Sequence, residues 1–145
     1  KISSKGRYAL RLMIDLALYG SGGFTSLKDV SARQGISVKY LEQIVIQLSR
    51  AGFLKSALGA GGGYRLAAPP SDYPAGDILR AVEGSLAPVA CLEDSVNECP
   101  RYGQCSTVHF WEGLNQVINQ YVDSFTLQDL AARCRTGCNF TIYLL

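Results

Sequence analysis

The stretch that decides the fold is residues 26–48, SLKDVSARQGISVKYLEQIVIQL, which predicts two helices joined by a very short turn. Ser26 opens the earlier helix as a cap, and Gly35 is suited to end it. Ser37 caps the later helix, whose apolar residues repeat at the spacing of one helical face: Leu41, Ile44, Val45 and Leu48. A three-residue turn containing glycine between two such helices is typical of a helix-turn-helix. A simple helical hairpin would show the same pattern, so the flanking sequence has to decide between them.

The residues that follow predict a β-hairpin. Residues 53–57 and 64–67 are short strand-like runs, and residues 58–63 between them are rich in glycine. A helix-turn-helix followed by a hairpin is the element order of a winged helix. The glycine-rich tip, flanked by Lys55 and Arg65, leaves its amides free to approach a phosphate backbone. A nucleotide-binding loop is excluded, because no Gly-Lys-Ser/Thr ending and no following helix are present.

Helices are also predicted on both sides of this region. Ser3 or Ser4 can cap a first helix with one apolar face: Ala9, Leu12, Met13, Leu16 and Ala17. Three further helices are predicted at residues 75–83, 108–124 and 127–135. The predicted fold class is therefore mostly α with a small β-hairpin wing. We expect a winged helix-turn-helix domain at 1–68, a linker, short helix and cysteine loop at 69–106, a dimerisation helix with a following short helix at 107–130, and a tail at 131–145.

The long helix at residues 108–124 carries more apolar surface than so small a domain needs. Its stripe contains Trp111, Leu114, Ile118, Tyr121 and Phe125. One alternative is that the stripe packs on its own domain, and the other is that it pairs with a second copy of the chain. We predict a homodimer with an interface formed by Trp111, Leu114, Ile118 and Tyr121.

Charge is divided unevenly along the chain. Residues 1–68 carry ten Lys/Arg and three acids, whereas residues 69–145 carry four Arg and nine acids, so a net +7 half precedes a net −5 half. Unless the division is due to chance, it favours contact of the first half with a polyanion. At 48% hydrophobic and 18% charged residues, the chain can bury a core. No run of about 20 apolar residues and no signal-peptide pattern is present, so we expect a cytoplasmic protein without membrane contact.

Three of the five cysteines lie in one short segment, CLEDSVNECPRYGQC, at Cys91, Cys99 and Cys105. The gaps of seven and five residues are wider than the paired ligands of a zinc site. Thiolates suit iron–sulfur clusters, so the segment is a candidate cluster loop, with thiol switches or zinc as alternatives. An enzyme is not expected, because no nucleophile–base pair is apparent and the chain has a single His; no small-molecule substrate is expected either.

Several motifs together resemble a known family. These are KGRYA at 5–9, YLEQ at 40–43, GGGY at 61–64, and the three-cysteine loop followed by Trp111. In this order, from residue 1 to about residue 130, they resemble the bacterial winged-helix iron–sulfur regulators of the IscR/NsrR-like family. The resemblance implies a homodimeric transcription factor that binds double-stranded promoter DNA and controls iron–sulfur cluster biogenesis genes. It also implies a cluster, 2Fe–2S or else 4Fe–4S, on Cys91, Cys99 and Cys105.

Relatives of this kind leave two alternatives open. One is a winged-helix repressor of cysteine or sulfur metabolism, or of the nitric-oxide response, that uses thiols or a partner protein as its signal. The other is an iron–sulfur redox protein, which would not explain the basic half.

The chain departs from the family pattern at two places. Relatives place a His three residues after the last cysteine, where this chain has Val108. His109 follows and is either the fourth ligand or a bystander; the alternatives are a water, a carboxylate such as Glu93 or Glu98, or a small thiol. Relatives often carry Arg where Leu58 precedes the wing glycines. Cys134 and Cys138 lie outside the resemblance, and we interpret them as incidental thiols, although a ligand pair or a disulfide is the alternative.

The predicted DNA contacts fall into three groups. The helix capped by Ser37 enters the major groove, and its predicted DNA contacts are Ser37, Lys39, Tyr40, Glu42 and Gln43. Gln43 can read adenine and Glu42 can accept from cytosine. Phosphates are expected at Ser3, Lys5, Arg7, Thr25, Ser26 and Lys28. The wing is expected to contact DNA through Gly61, Gly62, Tyr64 and Arg65.

Overall fold

The structure is a computed structural model and describes residues 1–137. In that part of the chain the helices and strands are α1 Ser4–Tyr19, α2 Leu27–Gln34, α3 Val38–Arg50, β1 Leu54–Ala57, β2 Gly63–Leu66, α4 Ala75–Glu83, α5 Val108–Asp123 and α6 Leu127–Gly137. The predicted mostly helical fold with a hairpin wing is confirmed. None of the described helices is long and apolar enough to span a membrane.

The helix-turn-helix forms through the local interactions that its sequence predicts. The Ser26 hydroxyl accepts the amide of Asp29 at 3.2 Å, and the Ser37 hydroxyl accepts the amide of Tyr40 at 3.1 Å. Gly35 ends α2 in the left-handed region, with φ 65°. The apolar face of α3 is confirmed as core, since each of its members is at most 2% exposed: Leu41, Ile44, Val45 and Leu48.

The wing is attached to the start of α2 by backbone pairing. Strands β1 and β2 are antiparallel, with Leu54 opposite Leu66 and Ala57 opposite Gly63. Thr25 and Tyr64 exchange two backbone hydrogen bonds of 2.8 Å each. Gly63 has φ 143°, and a Cβ there would lie 2.1 Å from the carbonyl oxygen of Thr25. Only glycine permits this close approach. The two backbone hydrogen bonds between Thr25 and Tyr64 then hold the wing beside the start of α2.

One core continues across residue 68. Tyr73 is 4% exposed; its hydroxyl donates to the carbonyl of Phe53 at 3.0 Å and accepts the amide of Ala68 at 2.9 Å. Ile78 of α4 and Leu127 of α6 belong to the same buried cluster as the apolar face of α1. The division of the chain into four parts stays a prediction, while α4 and α6 supply part of the core on which α1 and α3 pack.

Candidate DNA interface and cysteine segment

An ion pair between a buried carboxylate of α1 and a partly exposed guanidinium of α2 holds these two helices together. Asp15 is fully buried and accepts hydrogen bonds from Arg33 at 2.8 and 3.0 Å and from Gln34 at 2.9 Å. The hydrogen bond with Asp15 raises the pKa of the Arg33 guanidinium further. Two hydrogen bonds between Arg33 and Asp15 therefore fix the relative placement of α1 and α2, which carry predicted phosphate contacts.

Helix α3 presents a polar face. Lys39, Glu42 and Gln43 are exposed, as a helix that reads base edges requires. Tyr40 is half-buried and packs edge-on against Tyr8, with ring centroids 5.6 Å apart, so part of its role is to hold α3 against α1. Base contacts by these residues stay a prediction.

The predicted phosphate contacts differ in how accessible they are. Arg7 and Lys28 are exposed and Lys5 is half-buried. The Ser26 hydroxyl already accepts a hydrogen bond as the N-cap of α2. Thr25 differs from all of these, because it is only 7% exposed and its backbone pairs with the wing. Its burial favours a structural role, which the sequence pattern does not reveal.

The wing exposes a glycine tip with cationic flanks. Gly61 is exposed with φ 76°, and a Cβ on Gly62 would lie 2.3 Å from the carbonyl oxygen of Ala57, so the tip stays narrow. Tyr64 is half-buried by the pairing with Thr25. The Arg65 guanidinium lies 4.8 Å from the Phe24 ring centroid, and Leu58 is fully exposed at the tip.

The cysteine segment does not bring its three thiols together in this conformation. Cys91, Cys99 and Cys105 are each partly buried and form no disulfide. Within residues 1–137, no three side chains among His, Cys, Asp and Glu lie close enough to hold a metal ion. The thiol donors suit an iron–sulfur cluster in kind, but their positions here do not form its ligand set.

The last of these thiols is chemically distinct. The Cys105 sulfur lies 3.6 Å from the Thr107 hydroxyl, and this hydrogen bond lowers the pKa of the Cys105 thiol. A lowered pKa increases the thiolate fraction, which is the form that ligates metals and reacts with oxidants.

The candidate fourth ligand, His109, is exposed near the start of α5. The His109 side chain is 88% exposed, and its Nδ1 lies 3.3 Å from Glu112. Glu112 also accepts the Tyr102 hydroxyl at 3.2 Å, and its charge raises the pKa of Tyr102. Ligation by His109 stays a prediction. Cys134 is partly buried on α6, and Cys138 lies outside the described residues.

Helix α5 has an exposed apolar stripe that differs in phase from the predicted one. Its members are 37–66% exposed: Phe110, Leu114, Val117 and Tyr121. Leu114 and Tyr121 belong to the predicted set, but Trp111 and Ile118 are half-buried. Phe110 and Val117 were not predicted, although their spacing from Leu114 and Tyr121 is helical. The opposite side faces α4, where Arg80 binds Asp123 twice at 2.9 Å and Asn119 at 2.7 Å.

A helix-turn-helix with a paired wing, a net positive first half of the sequence and an exposed polar α3 defines a winged-helix DNA-binding regulator. A family model described as Rrf2, iron-dependent transcriptional regulator, matches residues 2–133. The chain belongs to the Rrf2 family. Protein rrf2 of Nitratidesulfovibrio vulgaris is 41% identical over 145 residues, covering 97% of this chain and 96% of that protein.

Two further relatives have solved structures. CymR of Bacillus subtilis is 42% identical over 132 residues, covering 91% of this chain and 90% of that protein. Its solved structure, described as that of the global cysteine regulator, has a TM-score of 0.74 at 39% identity and covers 91% and 96% of the two chains. The structure of IscR from T. potens has a TM-score of 0.75 at 36% identity and covers 99% and 96%. Relatives named as transcriptional regulators agree with the prediction that the chain is not an enzyme.

Proposed function

We propose that this transcriptional regulator is a homodimer that reads promoter DNA and senses iron–sulfur status through its cysteine segment. Its expected targets are iron–sulfur cluster biogenesis genes. The observation that carries the DNA half is the exposed polar face of α3, which lies on a basic half of the chain beside a narrow glycine wing. Such a helix fits the major groove, while the wing and the cations near the helix starts contact phosphates.

Gln43 is the residue with the sharpest test. It is exposed on α3 and can form two hydrogen bonds with adenine. We expect Gln43→Ala to lose about 1–3 kcal/mol on the preferred site and to discriminate less at one base position. Binding should be measured across all single-base variants of the site, with Gln128→Ala on α6 as the control. An equal loss on every variant would show that Gln43 does not read a base.

Dimer formation is supported by the exposed stripe of α5. If α5 packed against its copy in a two-fold symmetric dimer, both copies would bury the same stripe: Phe110, Leu114, Val117 and Tyr121. A dimer would also carry two α3 helices, as regulators with two half-sites require.

Cluster sensing is supported by three thiols within fifteen residues and by kinship with an iron-dependent family. Because the thiols are apart in this conformation, binding a cluster would require residues 90–107 to rearrange. Iron and acid-labile sulfide should be measured per subunit after purification without oxygen. We expect near-equal amounts, lost in Cys99→Ala and kept in Cys134→Ala. Absence of both iron and sulfide after reconstitution would contradict cluster binding.

A thiol-based regulator is the second candidate, and a specific observation favours it. Cys105 is partly exposed and has a lowered pKa, so it can react without any metal. In metal-free protein, this candidate predicts that peroxide changes promoter affinity, that dithiothreitol reverses the change, and that Cys105→Ser abolishes it. Affinity unaffected by peroxide would contradict it.

A further inference from the structure

The last residue of α4 closes the first turn of α1, which lies about 80 residues earlier in the chain. One carboxylate oxygen of Glu83 accepts the Ser3 amide at 3.0 Å, the Ser3 hydroxyl at 2.5 Å and the Gly6 amide at 2.8 Å. The first-turn amides of a helix have no partner within the helix, and its positive end favours a negative group. Glu83 therefore satisfies this helix start from outside.

The seat of this carboxylate is closely fitted. Gly6 is buried, and a Cβ on it would lie 2.5 Å from Oε1 of Glu83. Burial by itself would raise the pKa of Glu83, but the hydrogen bonds from Ser3 and Gly6 outweigh it and lower the pKa. The ionised carboxylate is therefore the stable form in this seat, and any side chain at position 6 would displace it.

The same turn of α1 carries the cations proposed to contact DNA phosphates, Lys5 and Arg7. A carboxylate among them opposes phosphate binding by charge, so its effect on DNA affinity through charge alone is unfavourable. Its hydrogen bonds act in the other direction, because they fix the backbone from which both side chains project. Glu83 is itself held, since Arg80 one turn earlier binds Asp123 of α5.

We propose that Glu83 is a positioning residue for DNA binding, which holds the first turn of α1 so that Lys5 and Arg7 meet the phosphate backbone. The proposal rests on the proposed function, in which the start of α1 lies on DNA. If Glu83 acted only through its charge, removing the carboxylate would strengthen DNA binding. If it acts by positioning α1, removing it weakens DNA binding, so the two effects can be separated.

The test compares three variants in promoter binding at several salt concentrations. Glu83→Ala removes charge and acceptor together, and we expect binding about tenfold weaker and a salt slope smaller by about one to two, as if one or two phosphate contacts were lost. Glu83→Gln keeps an acceptor oxygen and loses the charge, so it should bind at least as tightly as the wild type. Gly6→Ala keeps the charge but displaces it, and should weaken binding as Glu83→Ala does.

Two controls separate this proposal from the function on which it rests. Asp94→Ala removes an exposed carboxylate of the cysteine segment and should leave affinity within about twofold. Without DNA, hydrogen exchange of the Gly6 amide should be faster in Glu83→Ala than in the wild type. Equal or tighter DNA binding by both Glu83 variants would overturn the proposal alone. Wild-type protein that does not bind promoter DNA would contradict the proposed function as well.

Discussion

The exposed stripe of α5 makes a quantitative prediction about dimer formation. Phe110 and Tyr121 are 66% and 64% exposed, and an aromatic side chain can bury about 200 Å². Covering both in two protomers would remove about 500 Å² of surface, a gain of about 12 kcal/mol at about 25 cal/mol per Å². This gain is comparable to the cost of association, about 4–15 kcal/mol, so the remaining stripe residues decide whether the dimer is stable.

Val117 lies between these two aromatics and is 60% exposed, so it is the position at which a charge should do most damage. A two-fold interface uses the same patch twice, so Val117→Glu would bury two carboxylates. At about 3 kcal/mol for each unpaired charge, the dimer should weaken by about 6 kcal/mol, or about 10⁴-fold in Kd.

Sedimentation at micromolar concentration should therefore show a dimer for the wild type and a monomer for Val117→Glu. The matched control is Gln116→Glu, which adds the same charge about 100° round the helix at an exposed position and should remain dimeric. A dimeric Val117→Glu would refute the interface, and a monomeric wild type would refute dimerisation through α5 altogether.

Three further changes test the wing and the cysteine segment. Gly63→Ala should lower the free energy of unfolding in urea by about 2–4 kcal/mol, because its Cβ would break the pairing of the wing with the start of α2. The control Gly59→Ala, with φ 86° and open space around it, should lower it by about 1 kcal/mol. Equal losses in the two variants would argue against the clash. Leu58→Arg, at the fully exposed tip, should raise promoter affinity and steepen its salt dependence by about 0.9, and an unchanged slope would place the tip off the DNA. Thr107→Val removes the side-chain hydrogen bond that lowers the pKa of Cys105, so less thiolate forms at neutral pH. Iodoacetamide should therefore alkylate Cys105 more slowly than in the wild type. Equal alkylation rates would count against this hydrogen bond.

The helix-turn-helix could be predicted from the sequence because its determinants are local. Ser26 and Ser37 each cap a helix through an amide three residues away, and Gly35 takes the left-handed conformation that ends α2. These interactions need no knowledge of the rest of the chain. The same applies to α4, which ends at Glu83 before Gly84 with φ 79°, as its sequence predicts.

The phase of the α5 stripe could not be predicted from periodicity. The helix has apolar residues over a broad arc, and the sequence does not show which part of that arc another element covers. Contacts with α4 decide this, since Arg80 binds Asn119 and Asp123 on one side of α5, while Phe110 and Val117 on the other side stay exposed. Long-range pairing likewise buries Thr25 through its bridge to the wing. The cysteine segment has no repeating pattern of apolar residues, so the sequence could not predict how its three thiols are arranged.

The charge division of the sequence acquires a second meaning in the structure. Acids of the second half hold α4 on both sides, since Asp123 binds Arg80 and Glu83 binds the start of α1. Helix α4 therefore joins the proposed dimer helix to the proposed DNA-contacting turn, and the chain leaves it at Gly84 toward Cys91. If the cysteine segment carries a signal, as proposed above, two routes to the DNA contacts follow from this arrangement: one through Glu83 and one through a changed dimer at α5. If the first route dominates, Glu83→Ala uncouples DNA affinity from the state of the cysteines while the protein remains dimeric. If the second dominates, Glu83→Ala weakens both states equally and only Val117→Glu removes the response.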